Sequence, residues 1–291
     1  MLDLTLQGAD VLTPAGLDVR AEIGVAEGRI TANPQGRRVD LSGYMVLSGI
    51  IDPHGDGFER HLAPRRGAMK QMTEGVVAAE AELAANGITT AVLAQFYSWE
   101  GGLRSPDYAA QVFSAIQNVR SSLVTDLVPQ LRFETHMLGD YEGLPDKITQ
   151  WGVTYIVFND HLDHDRLAAG KKPARLTGQA LKAGRNPDKH FEMLLQMHRR
   201  SHEVPAALEL LCKELLARGL RVGSHDDKTA EGRAIWRARG AQISEFPETL
   251  EAAEGGAGRR RPDHSGGPQC GAGWLSQGQC LGAGSDCHGA V

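Results

Sequence analysis

His54-Gly55-Asp56 stands at the end of an apolar run, Val46-Leu47-Ser48-Gly49-Ile50-Ile51-Asp52. If that run is a buried strand, residues two positions apart project from one face, so His54 and Asp56 can ligate a single ion. Imidazole with carboxylate suits zinc, manganese, iron or cobalt better than calcium. Gly55 leaves room for a ligand to approach the backbone. His-x-Asp recurs by chance and is a weak signal alone. Its weight comes from similar residues at the ends of later apolar runs. Glu134 closes Leu131-Arg132-Phe133, His161 follows Val157-Phe158-Asn159-Asp160, and His225 follows Val222-Gly223-Ser224, beside Asp226 and Asp227. Each has a bland alternative as a solvated strand-end charge or a polar-loop histidine, and His164 competes directly with His161. Their recurrence at successive strand ends points to a metal centre. Glu134 is the candidate bridge between two ions, which at a separation of roughly 3.5–4 Å would lower the pKa of a shared water. Arg60, Arg65, Arg66 and Lys228 lie close in sequence to these ligands. They are candidate phosphate-binding groups, with ordinary surface charge as the alternative.

The elements that must position these residues alternate. Residues 1–45 read as short strands punctuated by Gly and Pro. From about residue 46 the pattern becomes strand, helix, strand. Helical periodicity covers residues 68–86, 106–124, 190–218 and 230–238, and strands are predicted at 88–94, 131–135, 153–158, 221–224 and from 243. Such alternation favours a parallel α/β domain, and the polar candidates fall at its strand C-termini, where such folds build their sites.

The chain of 291 residues carries a net charge of -5 and is 41% hydrophobic. That balance argues against a general nucleic-acid binder, for which only Arg259-Arg260-Arg261 speaks. No apolar stretch approaches the ~18 residues of a membrane span. The N-terminus lacks the basic start and apolar core of a signal peptide, so a cytoplasmic location is expected. The 4 cysteines do not form a disulfide scaffold, and Cys212 reads as a small core residue. Gly170-Lys171 lacks the glycine spacing of a P-loop, and no dinucleotide fingerprint occurs.

Residues from about 40 to 250 resemble the metal-dependent hydrolases of the amidohydrolase superfamily. Within it they resemble the phosphonate-catabolism diphosphatases that act on alpha-D-ribose 1-methylphosphonate 5-triphosphate. The resemblance rests on the run from Leu47 to Asp56, on Phe58-Glu59-Arg60, on Ser224-His225-Asp226-Asp227-Lys228-Thr229 and on Ser244-Glu245-Phe246-Pro247. It implies an α/β fold, a (β/α)8 TIM-like barrel with a small N-terminal β-domain. It also implies two divalent metal ions, zinc first and manganese or iron as alternatives, held by His54, Asp56, Glu134, His161 and His225. Asp56 stands where most of the superfamily has a second histidine. The implied reaction is metal-assisted hydrolysis of the 5-triphosphate to the 5-phosphate and diphosphate. The expected partner is a small phosphorylated sugar, with no nucleic acid and no membrane; a homo-oligomer is left open. Two other readings stand beside it: an amidohydrolase acting on the C–N bond of a cyclic amide, and an inactive truncated fragment.

The character of the chain changes after Glu254. Glycine occupies 11 of the last 37 positions, and periodicity is lost. Codons compatible with Asp263–Trp274 can be read in the next frame as a string resembling the family's continuation, so a frameshift is expected. The expected organisation is therefore a partial β-domain over 1–48, an incomplete hydrolase barrel over 49–254 and an aberrant, disordered glycine-rich tail over 255–291. The later barrel strands and a further aspartate ligand would be missing.

Overall fold

A computed structural model describes residues 3–33, 35–62 and 71–256. Arg65, Arg66 and the tail beyond residue 256 lie outside the described residues. The chain divides into two compact units, the first comprising Met1–Ile50 and the second beginning at Ile51.

The first unit is a five-stranded mixed sheet. Its strands are β1 (Leu4–Thr13), β2 (Gly16–Ala26), β3 (Arg29–Thr31), β4 (Arg37–Asp40) and β5 (Met45–Val46). β1 and β2 pair antiparallel, as do β2 and β3, whereas β4 and β5 run parallel to β1. The β2–β3 hairpin closes through two residues, Glu27 and Gly28, at φ 52° and 74°. Two positive φ angles in a two-residue loop match the right-handed twist of the flanking strands.

The second unit alternates strand and helix. Its order is β6 (Ile50–Gly55), α1 (Glu59–Leu62), α2 (Met72–Ala85), β7 (Ile88–Tyr97), α3 (Pro106–Val119), β8 (Asp126–Glu134), α4 (Leu144–Gln150), β9 (Tyr155–Asn159), α5 (His164–Ala168), α6 (Leu176–Lys182), α7 (Pro187–Arg199), α8 (Val204–Ala217), β10 (Arg221–His225), α9 (Ala230–Ala238), β11 (Ile243–Glu245) and α10 (Leu250–Gly256). The strands form one six-stranded sheet in sequential order, β6 to β11. Pairings from β7 to β8, β8 to β9, β9 to β10 and β10 to β11 are all parallel. If the sheet were flat, its outer strands would lie about 24 Å apart. Instead His54 Nδ1 on β6 lies 2.6 Å from Glu245 Oε2 on β11. The sheet is curled, and this is the α/β half-barrel expected of an incomplete TIM-like fold.

Period-two alternation sorts the strand residues between two environments. On β8, Leu127, Leu131 and Phe133 enter the apolar core with Ile156 and Phe158 of β9, Val222 of β10 and the helices outside. Gln130, Arg132 and Glu134 project the other way and are also buried. The concave face of the sheet is therefore polar. Capping fixes several helix starts: Ser105 Oγ accepts from Tyr108 N before α3, and Thr229 Oγ1 accepts from Gly232 N before α9. Cys212 is fully buried in the core, and burial pushes its thiol up to about 11.

Two expectations are corrected. The run ending at Asp52 is not a buried strand: β6 begins at Ile50, and Ile50 and Ile51 are 55% and 63% exposed. Among the described residues it is an edge strand, covered less than the interior strands. The helix predicted over 190–218 is two helices, α7 and α8, separated by a single 3-10 turn at Ser201–Glu203. Pro205 in the first turn of α8 has no N–H to continue the helical ladder. No described helix is long and apolar enough to cross a membrane.

A polar clamp ties β10 to β11 on the face opposite the concave one. Ser224 and Ser244 are register partners, and both hydroxyls donate to Asp227 Oδ2, at 2.6 and 2.5 Å. Arg233, fully buried, donates to Ser224 Oγ at 2.6 Å and to the Ala241 carbonyl.

Candidate metal centre

His225 and Glu245 are cross-strand partners at the ends of β10 and β11. Curling of the sheet adds His54 from β6, and metal-ligating atoms of all three residues lie within 4.8 Å of one another. The carboxylate of Glu245 is fully buried and held from several sides. Gln130 Nε2 donates to its Oε1 at 2.6 Å, the Tyr155 hydroxyl donates to the same oxygen, and His54 Nδ1 faces its Oε2. Burial opposes ionisation, but hydrogen bonds from His54, Tyr155 and Gln130 hold the Glu245 carboxyl below its ordinary range. Phe246 packs on both imidazoles, with ring centroids 4.6 Å from His54 and 5.2 Å from His225.

A second group adjoins the first. Glu134, at the end of β8, is fully buried and accepts from His161 N at 3.1 Å; its Oε1 lies 2.5 Å from His161 Nδ1. His161 Nε2 lies 3.7 Å from Asp226 Oδ2, and Asp226 Oδ1 lies 2.9 Å from His225 Nδ1. Asp226 thus links the two groups into one polar chain, Glu134, His161, Asp226, His225, His54 and Glu245. Burial would lower the His161 imidazole, but the Asp226 and Glu134 carboxylates beside it push it up to about 10. Asp226 is itself held well below the usual carboxylate range, against burial, by His161 and His225. Asp226 sits at φ 57° and Phe246 at φ 50°, so left-handed backbone marks the ends of both adjoining strands. Such conformations cost about 1–3 kcal/mol each and gather at functional sites.

Arg132 is the cation built into this face. It is 5% exposed and donates through Nη2 to His225 Nε2 at 2.9 Å and to Asn159 Oδ1 at 3.3 Å. Its guanidinium lies 4.1 Å from the Phe96 ring centroid, and that of Arg104 lies 4.0 Å from the same centroid. Glu59 is near this pair, and burial raises its carboxyl, with Arg104 opposing the shift.

The residues singled out from sequence thus have different placements. His54 and His225 meet Glu245, and Glu134 meets His161. Asp56 lies one residue past the end of β6, is exposed, and belongs to neither three-residue donor group among the described residues. Gly55 serves the fold: a Cβ there would stand 2.8 Å from the Val92 carbonyl on β7, so the close approach is of backbone to backbone. Arg60 pairs with Glu82 and is exposed, while Lys228 lies 3.9 Å from Glu248 and is 73% exposed. Glu245, Asp226 and Arg132 carried no assigned role from sequence. The strand-end rule that marks Glu134 also marks Glu245, because it closes Ile243-Ser244. Arg132 has no comparable local signal.

The donor chemistry fits a transition metal. Two imidazoles and a carboxylate form the three-ligand set that catalytic zinc uses, with one position left for water or substrate. The carboxylates of Glu245, Asp226 and Glu134 lie among these imidazoles.

Over 244 residues the chain is 28% identical to the alpha-D-ribose 1-methylphosphonate 5-triphosphate diphosphatase of Escherichia coli. The match covers 80% of this chain and 63% of that protein, so the chain spans less than two thirds of the length of the curated relative. Among solved structures, an N-acetyl-D-glucosamine-6-phosphate deacetylase from Mycobacterium smegmatis matches at 16% identity with a TM-score of 0.49, covering 94% of this chain and 60% of that one. The L-hydantoinase from Arthrobacter aurescens matches at 15% identity with a TM-score of 0.39, covering 84% and 58%. No family model matches the chain.

Proposed function

We propose that this chain is a metal-dependent hydrolase of the amidohydrolase superfamily, acting as a diphosphatase on alpha-D-ribose 1-methylphosphonate 5-triphosphate. The observation that carries the hydrolase reading is the meeting of His54, His225 and Glu245, brought together from β6, β10 and β11 by the curl of a sequentially ordered sheet. The 28% identity to the diphosphatase supports the choice of substrate.

In this reading His54, His225 and Glu245 hold one divalent ion of the zinc class, and Glu134 and His161 belong to the site of a second. Ions bound there supply Lewis acidity and a water of lowered pKa. Tyr155 and Gln130 fix the Glu245 carboxylate, and Asp226 orients His161 and His225 toward each other. Among the described residues, Arg132 and Arg104 are assigned to phosphate oxygens, since the Phe96 ring holds both guanidiniums at one place, Arg104 also pairing with Glu100 at 3.0 Å. The buried face around Arg132 limits competing water, which strengthens each charge interaction.

The test is pyrophosphate release from the 5-triphosphate by the full chain supplied with zinc, manganese or iron. Release that disappears in His54→Ala supports the reading. Opening of a hydantoin ring without pyrophosphate release would replace it with C–N hydrolysis. Absence of both reactions from a folded, metal-loaded chain would leave the inactive-fragment reading.

A further inference from the structure

We infer that His136, Asp160 and His164 form a separate site for a single divalent transition-metal ion, outside the hydrolytic centre. Ligand atoms of these residues lie within 4.8 Å of one another. His136 follows the end of β8, Asp160 follows β9, and His164 opens α5. None of them belongs to the chain of groups from Glu134 to Glu245.

The arrangement of both rings supports a metal site over a chance cluster. Each imidazole turns one nitrogen to Asp160 and has the other held by a neighbour. His164 Nε2 lies 3.1 Å from Asp160 Oδ2, while its Nδ1 lies 2.8 Å from His198 Nδ1 on α7. His136 Nδ1 lies 3.4 Å from Asp160 Oδ1 and 3.2 Å from Thr135 Oγ1, while its Nε2 lies 3.0 Å from Ser201 Oγ. Partners on the far nitrogen fix ring orientation and tautomer, as they do for metal-ligating histidines generally. The rings also pack in series, with centroids 4.9 Å apart from His136 to His164 and 5.1 Å from His164 to His198.

Two imidazoles and a carboxylate select an ion of the zinc, cobalt or nickel class over magnesium or calcium. The His136 side chain is 4% exposed, whereas those of Asp160 and His164 are 43% and 34% exposed. The set therefore has a buried floor and a solvent-facing mouth, which suits an exchangeable ion.

The experiment strips the full chain with a chelator and titrates it with Co²⁺, following visible absorption and calorimetry. His164→Ala is expected to take up one equivalent fewer than the parent, and His54→Ala to keep that equivalent. Ser201→Ala and His198→Ala are expected to keep it with affinity reduced about 10–100-fold. Equal uptake by His164→Ala and the parent would overturn the site. If His164→Ala does not fold, undiminished affinity in both Ser201→Ala and His198→Ala would overturn it, and the expected loss in either would sustain it. Pyrophosphate release is measured separately, so a failed site and a failed diphosphatase reading remain distinct.

Discussion

The two donor clusters are assembled over very different distances along the chain. His136, Asp160 and His164 come from consecutive strand ends and the helix that follows, and His198 and Ser201 hold their rings from α7 and the turn after it. His54, His225 and Glu245 meet only when the sheet curls far enough to bring its first strand to its last, across 191 residues between His54 and Glu245. The local cluster is a product of neighbouring loops. The long-range cluster reports the curling of the whole sheet, with His54 held on the buried Glu245 carboxylate and His225 beside it. The long-range cluster therefore depends on the fold of the whole sheet, and the local one does not.

The sharpest break of this contrast is Glu245→Ala. It removes a candidate ligand and leaves Gln130 and Tyr155 without their shared acceptor. We expect loss of pyrophosphate release by about 10³-fold, equivalent to roughly 4 kcal/mol of transition-state stabilisation, while His164→Ala stays within about tenfold of the parent. Steady-state kinetics on the two variants decides it; equal losses would erase the distinction between the clusters.

Metal removal should come next. Chelation is expected to abolish turnover and lower the melting temperature, both restored by Zn²⁺ or Mn²⁺. At 100 times the dissociation constant, an ion that binds only the folded state contributes about 2.7 kcal/mol. For a domain of this size that corresponds to a shift of roughly 5–11 °C. Differential scanning calorimetry with and without ion measures it, and an unchanged melting temperature would count against either cluster holding an ion.

Arg132→Met tests whether the buried cation serves substrate or fold. As a phosphate-binding group it should lower kcat/KM about 10–100-fold, in line with a charge-assisted hydrogen bond of ~1.5–3 kcal/mol. A fall in melting temperature with unchanged kcat/KM would assign it to holding His225 and Asn159. The smallest effect is expected from Ser201→Ala. It leaves His136 Nε2 without a partner at a cost of about 1 kcal/mol to stability and leaves hydrolysis unaltered. Urea denaturation curves with parallel assays would show it.

The parallel α/β alternation was legible because strand and helix periods differ. Strand ends were legible because an apolar run that stops at a polar residue announces itself. Glu134, His161 and His225 came from that rule, and Glu245 obeys it equally. What remained hidden depends on neighbours across strands. Arg132 lies two residues before Glu134, and only the curl and the parallel register turn it toward His225. Reading charge by proximity in sequence instead picked Arg60 and Lys228, whose partners are surface carboxylates. His161 and His164 could not be ranked by position alone: three residues apart, they diverge to Asp226 and Glu134 on one side and to His136 and His198 on the other. The apolarity of Ile50 and Ile51 indicated a buried strand, because composition does not distinguish a strand with two neighbours from one at an edge.

The clamp of Asp227, Ser224, Ser244 and Arg233 makes these residues mutually dependent. Substituting any one strands the others in a dry interior, so their effects cannot add. A slip of one residue between β10 and β11 would also exchange the inward and outward faces and part His225 from Glu245. Chains descending from this one can therefore exchange the clamp only as a set. A search for activity-destroying changes confined to the concave face would miss four positions that act from behind it.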